Sequence, residues 1–207
     1  MTADFPAYRG RMEYVCLDCG ARYPGDSLLY TCPQCGGVFL LENLDFDQLK
    51  ARSGQEWRTL FDSRAVSRTT ALRGIFRYYE LLAPLLEEDD IVYLGEGLTP
   101  IVEAAPALRA LVGQPFAYKN DGQNPSASFK DRGMACAFSY LKWLCRRHNW
   151  DEVLTVCAST GDTSAAAALY AAYVGAPLKS VVLLPHGKVT PQQLSQPLEN
   201  AQGPRMA

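Results

Sequence analysis

From about residue 116 the chain alternates between short apolar runs and longer segments with helical periodicity. Phe116 to Lys119 and Glu152 to Cys157 (EVLTVC) are strand candidates. Lys130 to His148 carries apolar residues at helical spacing, and Thr163 to Val174 (TSAAAALYAAYV) is an alanine-rich helix closed by Gly175. Lys179 to Leu184 (KSVVLL) is a further strand. Strand, loop, helix and strand in this order predict an α/β fold whose parallel sheet has right-handed crossovers and flanking helices. In such sheets ligands bind beyond the carboxyl ends of the strands. The end, SQPLENAQGPRMA, reads as polar and structureless.

Two loops in this half carry candidate chemistry. Asn124-Pro125 followed by Ser126, Ala127 and Ser128 is turn chemistry, and it delivers Lys130 to the mouth of a helix. An amine there lies near backbone N–H groups and the positive end of the helix dipole, which disfavour added positive charge. A neutral amine is what capture of a carbonyl needs. An isolated lysine in a helix's first turn is an ordinary solvated charge; the residues around this one decide its reading. The second loop, Ala158-Ser159-Thr160-Gly161-Asp162-Thr163, sets hydroxyls and a glycine before a helix start. Its N–H groups and hydroxyls can hold a carboxylate or phosphate without a cation; taken alone, it reads as a plain N-cap formed by Asp162 or Thr163.

Composition narrows the classes. At 207 residues and 48% hydrophobic, the chain can bury a sizeable core in one or two domains. A net charge of −2 gives no global drive towards nucleic acid or membrane. The first residues lack the apolar run of a secretory signal, and no stretch approaches the ~18 apolar residues of a membrane span. Of seven cysteines, Cys136, Cys145 and Cys157 fall in apolar contexts and read as buried thiols. A reducing cytosol fits this usage.

The other four, Cys16, Cys19, Cys32 and Cys35, are spaced C-x2-C-x12-C-x2-C, with glycine close behind each pair. Two such knuckles suit four thiolates around structural Zn2+, and the glycines allow the positive-φ turns of a knuckle. Residues 1–45 therefore read as a zinc ribbon. Its three arginines against six acids make it acidic, which disfavours a phosphate-tracking role. Residues 46–95 read as a helical connector, basic over 50–77, where Lys50 and six arginines face only Glu56 and Asp62; a solvated charged face is the simplest account. Residues 96–207 form the α/β part.

The run NPSASFKDRG (Asn124 to Gly133) resembles the cofactor-lysine motif of fold-type-II pyridoxal-phosphate enzymes, and within them the threonine synthase family. IFRYYELL (Ile75 to Leu82) and GEGLTPIV (Gly95 to Val102) are similar to that family's N-terminal signature, and ASTGDTSA (Ala158 to Ala165) to its substrate-carboxylate loop. The resemblance covers most of residues 71–200 and implies a partial fold of the tryptophan synthase β-like kind. It implies that Lys130 binds pyridoxal 5'-phosphate through its amine and later shuttles protons. Ser159, Thr160 and Thr163 would grip the substrate's carboxylate or phosphate. Asp162 would face the cofactor's 3-oxygen, a departure from the Asn often found there, because an ionised Asp would repel a phenolate. Asp131 and Arg132 read as a helix-start ion pair or as cofactor-side support. The implied reaction is conversion of O-phosphohomoserine and water to threonine and phosphate, in the cytoplasm, by an enzyme that can be a homodimer at full length.

The resemblance also implies that the family's later half, with its glycine-rich phosphate loop, is not matched, so that this chain reads as a truncated form with little activity alone. Cysteate synthase and other type-II lyases or dehydratases are the nearest rivals. A non-catalytic zinc-dependent interaction module and a nucleic-acid-binding ribbon are the alternatives from other classes.

Overall fold

In the computed structural model, which describes residues 5–201, the chain divides into two compact units. One runs through Ile91 and takes in Ser139–Trp150; the other holds Val92–Phe138 and resumes at Asp151.

The first unit begins with β1 (Met12–Cys16), β2 (Arg22–Pro24) and β3 (Phe39–Asn43), an antiparallel sheet in the order β2-β1-β3. Register sets Tyr14 opposite both Tyr23 and Leu41. The Phe39 ring lies 5.2 Å from Tyr14 and 5.6 Å from Tyr23. Arg22 ties the strands together by pairing with Glu13 and Glu42. Each knuckle closes on a glycine at positive φ, Gly20 at 73° and Gly36 at 77°, whose N–H donates to the carbonyl of Cys16 or Cys32. A side chain there would be strained by about 1–2 kcal/mol.

Beyond the sheet come α1 (Phe46–Leu49), α2 (Gly54–Ala65), 3₁₀ turns at Thr70–Leu72 and Ile75–Tyr78, and α3 (Tyr79–Leu82). A capping box starts α2: Ser53 Oγ accepts from Glu56 N–H, and the Glu56 carboxylate accepts from Ser53 N–H. The basic stretch is only partly a solvated face. Arg64 is 2% exposed and Arg77 9%. Arg64 holds Glu80 in two bonds of 2.7 and 2.6 Å and also donates to the Arg77 carbonyl. Arg77 pairs with Asp62. The partner that draws Arg64 inward lies beyond the basic window itself.

The second unit opens with β4 (Ile101–Glu103), α4 (Pro106–Val112) and β5 (Ala117–Lys119). The predicted strand at 116–119 is present but pairs antiparallel with β4, so it forms a separate two-stranded sheet. α5 (Lys130–His148) follows, then β6 (Val153–Ala158), α6 (Asp162–Val174), β7 (Leu178–Leu183) and α7 (Pro191–Asn200). β6 and β7 pair in parallel, with α6 between them in sequence and packed on both. The parallel sheet is thus two strands among the described residues. α6 buries Ser164 to Ala168, Tyr170 and Ala171; its small side chains let it lie close to its neighbours.

The end is not structureless as far as Asn200. Thr190 and Gln193 form a capping box, Pro191 occupies the first turn, and α7 packs on α6. The last residues of that stretch, 202–207, lie outside the described part.

α5 contributes to each unit. Its first turns belong with the second, and Ser139 onward belongs with the first. There Tyr140 O–H donates to the Gly25 carbonyl at 2.7 Å, which leaves its oxygen to accept from Tyr14 O–H at 2.7 Å. Arg146 grips the buried Asp90 through two bonds, and Arg147 pairs with Asp26.

Candidate functional site

Lys130 is the first residue of α5, and its position follows from the turn in front of it. Asn124 N–H and side chain tie back to the Asp121 carbonyl, and the Ala127 N–H donates to the Asn124 carbonyl at 2.8 Å. Ala127 is left at φ 59°, a conformation an alanine adopts only when its surroundings hold it. Asp131 does the holding. Fully buried, its carboxylate accepts from Ser126 N–H and from Ser126 Oγ, both at 2.7 Å. Ser128 Oγ accepts from the Lys130 N–H at 3.3 Å, in front of the helix.

The Lys130 amine lies 4.5 Å from the centroid of the Phe129 ring, and the residue is half-buried. Among the described residues no carboxylate comes within ion-pair distance of it, although Asp131 is its neighbour in the chain. An amine so placed remains free to condense with an aldehyde. On the chemistry of this donor, the residues present fit a pyridoxal-type group.

Asp131 and Arg132 do not form a helix-start ion pair. Arg132 turns away to Asp121, with bonds of 3.0 and 2.8 Å to its carboxylate, and also donates to the Gly97 carbonyl at 2.9 Å and to Thr99 Oγ1 at 3.2 Å. Thr99 O–H donates to Asp121, and Asn124 accepts from the Gly97 N–H. The GEGLTP segment is therefore fastened to the loop that presents Lys130. Sequence reasoning assigned Asp121, Asn124 and Thr99 no part in this. Thr99 and Asn124 lie inside the two recognisable motifs and Asp121 just before one of them, but nothing in the spacing states that they meet.

The Arg132 guanidinium, with Thr99, pulls the Asp121 carboxyl down to about 2. Because the folded value lies below the ordinary carboxylate value of about 4, the stabilisation is fully present above that value. It fades as pH falls towards about 2. Melting temperatures of the chain and of Asp121→Asn are thus expected to differ by a constant amount above about pH 4 and to converge towards pH 2. A difference unchanged across that window would refute the pairing.

A second polar contact was also illegible. Glu96 is 1% exposed, and its carboxylate accepts from Tyr170 O–H on α6 at 3.0 Å and from the Leu94 N–H. Burial, and then Glu96, push the Tyr170 phenol well above its ordinary value, so it stays a donor. The Tyr170 ring lies 6.4 Å from Phe138 of α5.

The remaining predicted residues sit at the start of α6. Ser159 and Thr160 lie in the loop after β6, half-buried, with Ser159 Oγ accepting from the Gly161 N–H. The N-cap is Gly161, not Asp162 or Thr163, and no side chain caps the helix. Asp162 is exposed in the first turn; Thr163 beside it is half-buried. Ser164 N–H donates to the Gly161 carbonyl at 3.1 Å, which leaves the N–H groups of Asp162 and Thr163 to face an anion. No hydrogen bond joins this loop to the Lys130 loop among the described residues.

In the ribbon, the Sγ atoms of Cys16, Cys19, Cys32 and Cys35 lie within 4.8 Å of one another. Cys16 and Cys35 are 3.4 Å apart, Cys19 and Cys32 3.7 Å. Four sulfurs around zinc, with bonds of ~2.3 Å, would be spaced by ~3.8 Å. Tyr23 Oη sits 3.5 Å from Cys32 Sγ, placed to donate to a thiolate. The donor set fits a tetrahedral zinc ion.

A family model described as "Pyridoxal-phosphate dependent enzyme" matches residues 92–201, more than half of the chain. The chain belongs to the pyridoxal-phosphate dependent enzyme family. Within that family it is 37% identical over 182 residues to the threonine synthase of Methanocaldococcus jannaschii, covering 87% of this chain and 40% of the relative. It is 35% identical over 185 residues to threonine synthase 2, chloroplastic, of Arabidopsis thaliana, covering 86% and 34%. The crystal structure of PLP-bound threonine synthase from Brucella melitensis shares the fold, with a TM-score of 0.58 at 19% identity, over 89% of this chain and 38% of that one. The chain thus spans about two fifths or less of the length of these proteins. No helix among the described residues is long and apolar enough to cross a membrane.

Proposed function

We propose that the chain is part of a threonine-synthase-type enzyme, which converts O-phosphohomoserine and water to threonine and phosphate. The observation that carries this reading is the free amine of Lys130, presented at the mouth of α5 by a turn that Asp131 holds. The curated relatives, named threonine synthase, support it. Pyridoxal phosphate, when bound, supplies the electron sink for charge developing at the substrate's α-carbon.

Lys130 would hold the cofactor and carry protons at Cα and Cβ, a task that asks one amine to reach two carbons. The phosphate ester bond at Cγ breaks, water oxygen bonds to Cβ, and Cγ ends as a methyl group. Ser159, Thr160 and the open N–H groups with Thr163 would receive the substrate's carboxylate or phosphate. Asp162 would face the cofactor side, and its exposure leaves room for such a contact. Cys16, Cys19, Cys32 and Cys35 would hold a structural zinc ion that takes no part in the reaction. Unbridged cysteines support a reducing compartment, and we place the protein in the cytoplasm.

The test is covalent. After incubation with pyridoxal phosphate and reduction with borohydride, peptide mapping is expected to find the cofactor's mass on Lys130 and no corresponding adduct in Lys130→Ala. An adduct spread evenly over surface lysines, or none, would overturn the assignment. Supplying O-phosphohomoserine with and without sulfite to an active full-length form then separates threonine formation from a sulfite-using relative.

A further inference from the structure

The buried surface of α6 has little relief. Ser164, Ala165, Ala166, Ala167, Ala168 and Ala171 are small, and Tyr170 is the one large side chain among the buried residues of this helix. Helices settle against their neighbours by fitting ridges of side chains into grooves. A face of alanines has shallow ridges, so it packs closely without fixing where along its axis the helix comes to rest. Tyr170 supplies what the alanines lack. Its ring lies against Phe138 of α5, and its O–H donates to Glu96 Oε2 at 3.0 Å.

The carboxylate that receives this phenol is itself held. Glu96 is buried, and the same oxygen accepts from the Leu94 N–H at 3.0 Å. The next residue, Gly97, is bonded at both its backbone groups: its N–H donates to Asn124 Oδ1 at 3.1 Å, and its carbonyl accepts from Arg132 at 2.9 Å. Asn124 and Arg132 flank Lys130 in the chain. A further polar tie of α6, from Asn200 to the Ala165 carbonyl, joins it to α7. The Tyr170–Glu96 bond is thus a buried, hydrogen-bonded route from α6 to the loop that presents Lys130.

We propose that Glu96 is a positioning residue: through Tyr170 it sets the place of α6 along its axis, and so where the N–H groups of Asp162 and Thr163 stand relative to the Lys130 amine. Asp162 lies eight residues before Tyr170 on one unbroken helix, about 12 Å at about 1.5 Å per residue, so an axial shift at Tyr170 reaches the helix start undiminished. A misplacement of about 1 Å can slow a reaction about a hundredfold. The proposal rests on the reading that this helix start receives the substrate's anionic group.

Inorganic phosphate, titrated into the full chain and followed by NMR through the Asp162 and Thr163 amides, tests it. Tyr170→Phe keeps the ring against Phe138 and removes the O–H; it is expected to weaken phosphate binding about tenfold or more. Glu96→Gln keeps an acceptor oxygen and is expected to stay within about threefold of the parent chain, whereas Glu96→Ala follows Tyr170→Phe. A role in stability alone would lower the melting temperature and leave phosphate affinity, measured well below melting, unchanged; that result overturns the inference. Through-space contacts of Ala165 to Ala168 with β6 and β7, read in the same samples, report the placement of α6 without phosphate. They are expected to change in Tyr170→Phe and to hold in Glu96→Gln, and contacts identical in Tyr170→Phe and the parent also overturn the inference. A parent chain whose amides ignore phosphate would instead remove the anion-binding role proposed for α6, with the contacts still deciding its placement.

Discussion

Serine at Cys35, an exposed thiol, is expected to unfold the ribbon as thoroughly as serine at Cys32, which is 2% exposed. Packing alone predicts the opposite order. An exposed side chain away from special features contributes within about 0.5 kcal/mol, whereas a buried one costs more when altered. A shared metal would remove that distinction, since each thiolate would be a quarter of one tetrahedral site. Binding of structural zinc supplies about 10–16 kcal/mol in small ribbons, and that free energy is folding free energy. The three short strands of this ribbon, of five, three and five residues, have little else to hold them. Metal analysis is expected to find one zinc ion per chain, and a strong chelator to abolish amide protection over Met12–Asn43. Normal protection in the Cys35→Ser chain, or after chelation, would remove the metal from the account.

Glu80→Ala is expected to cost about 3–5 kcal/mol, the range found when one member of a buried ion pair is deleted. The side chains of Arg64 and Glu80 are 3% and 8% exposed and meet in two bonds, so the guanidinium left behind would be buried without its counter-charge. That corresponds to a fall in melting temperature on the order of 10 °C. The pair itself need not stabilise the fold, because desolvation of both ions opposes their attraction. A double variant, Arg64→Met with Glu80→Leu, is therefore expected to recover most of the loss. If the double variant is as unstable as the sum of its parts, the destabilisation lies in packing and not in a stranded charge.

The elements that sequence made legible are those whose signals are local. α5 spans Lys130–His148 as its apolar spacing predicts, and β6 and β7 lie one residue from their predicted bounds. Pairing is a different matter. Nothing in Phe116 to Lys119 states that its partner is Ile101–Glu103 or that the two run antiparallel. α7 was hidden by its polar composition and by Pro197 within it, although Thr190, Pro191 and Gln193 are start signals. Arg64 escaped because its partner Glu80 lies outside the window over which charge was weighed. In the candidate site, the place of Lys130 at the head of α5 was legible from the turn before it. The roles of Asp121, Asn124 and Asp131 depend on a folded loop bringing side chains together, which spacing does not encode.

Burial pushes Cys136 up to about 11 and raises Cys145 and Cys157 as well. Thiols of that kind are sluggish towards alkylating agents near neutrality. Iodoacetamide labelling would then act as a tally of the knuckles alone, silent while an ion shields them and marking Cys16, Cys19, Cys32 and Cys35 once it leaves.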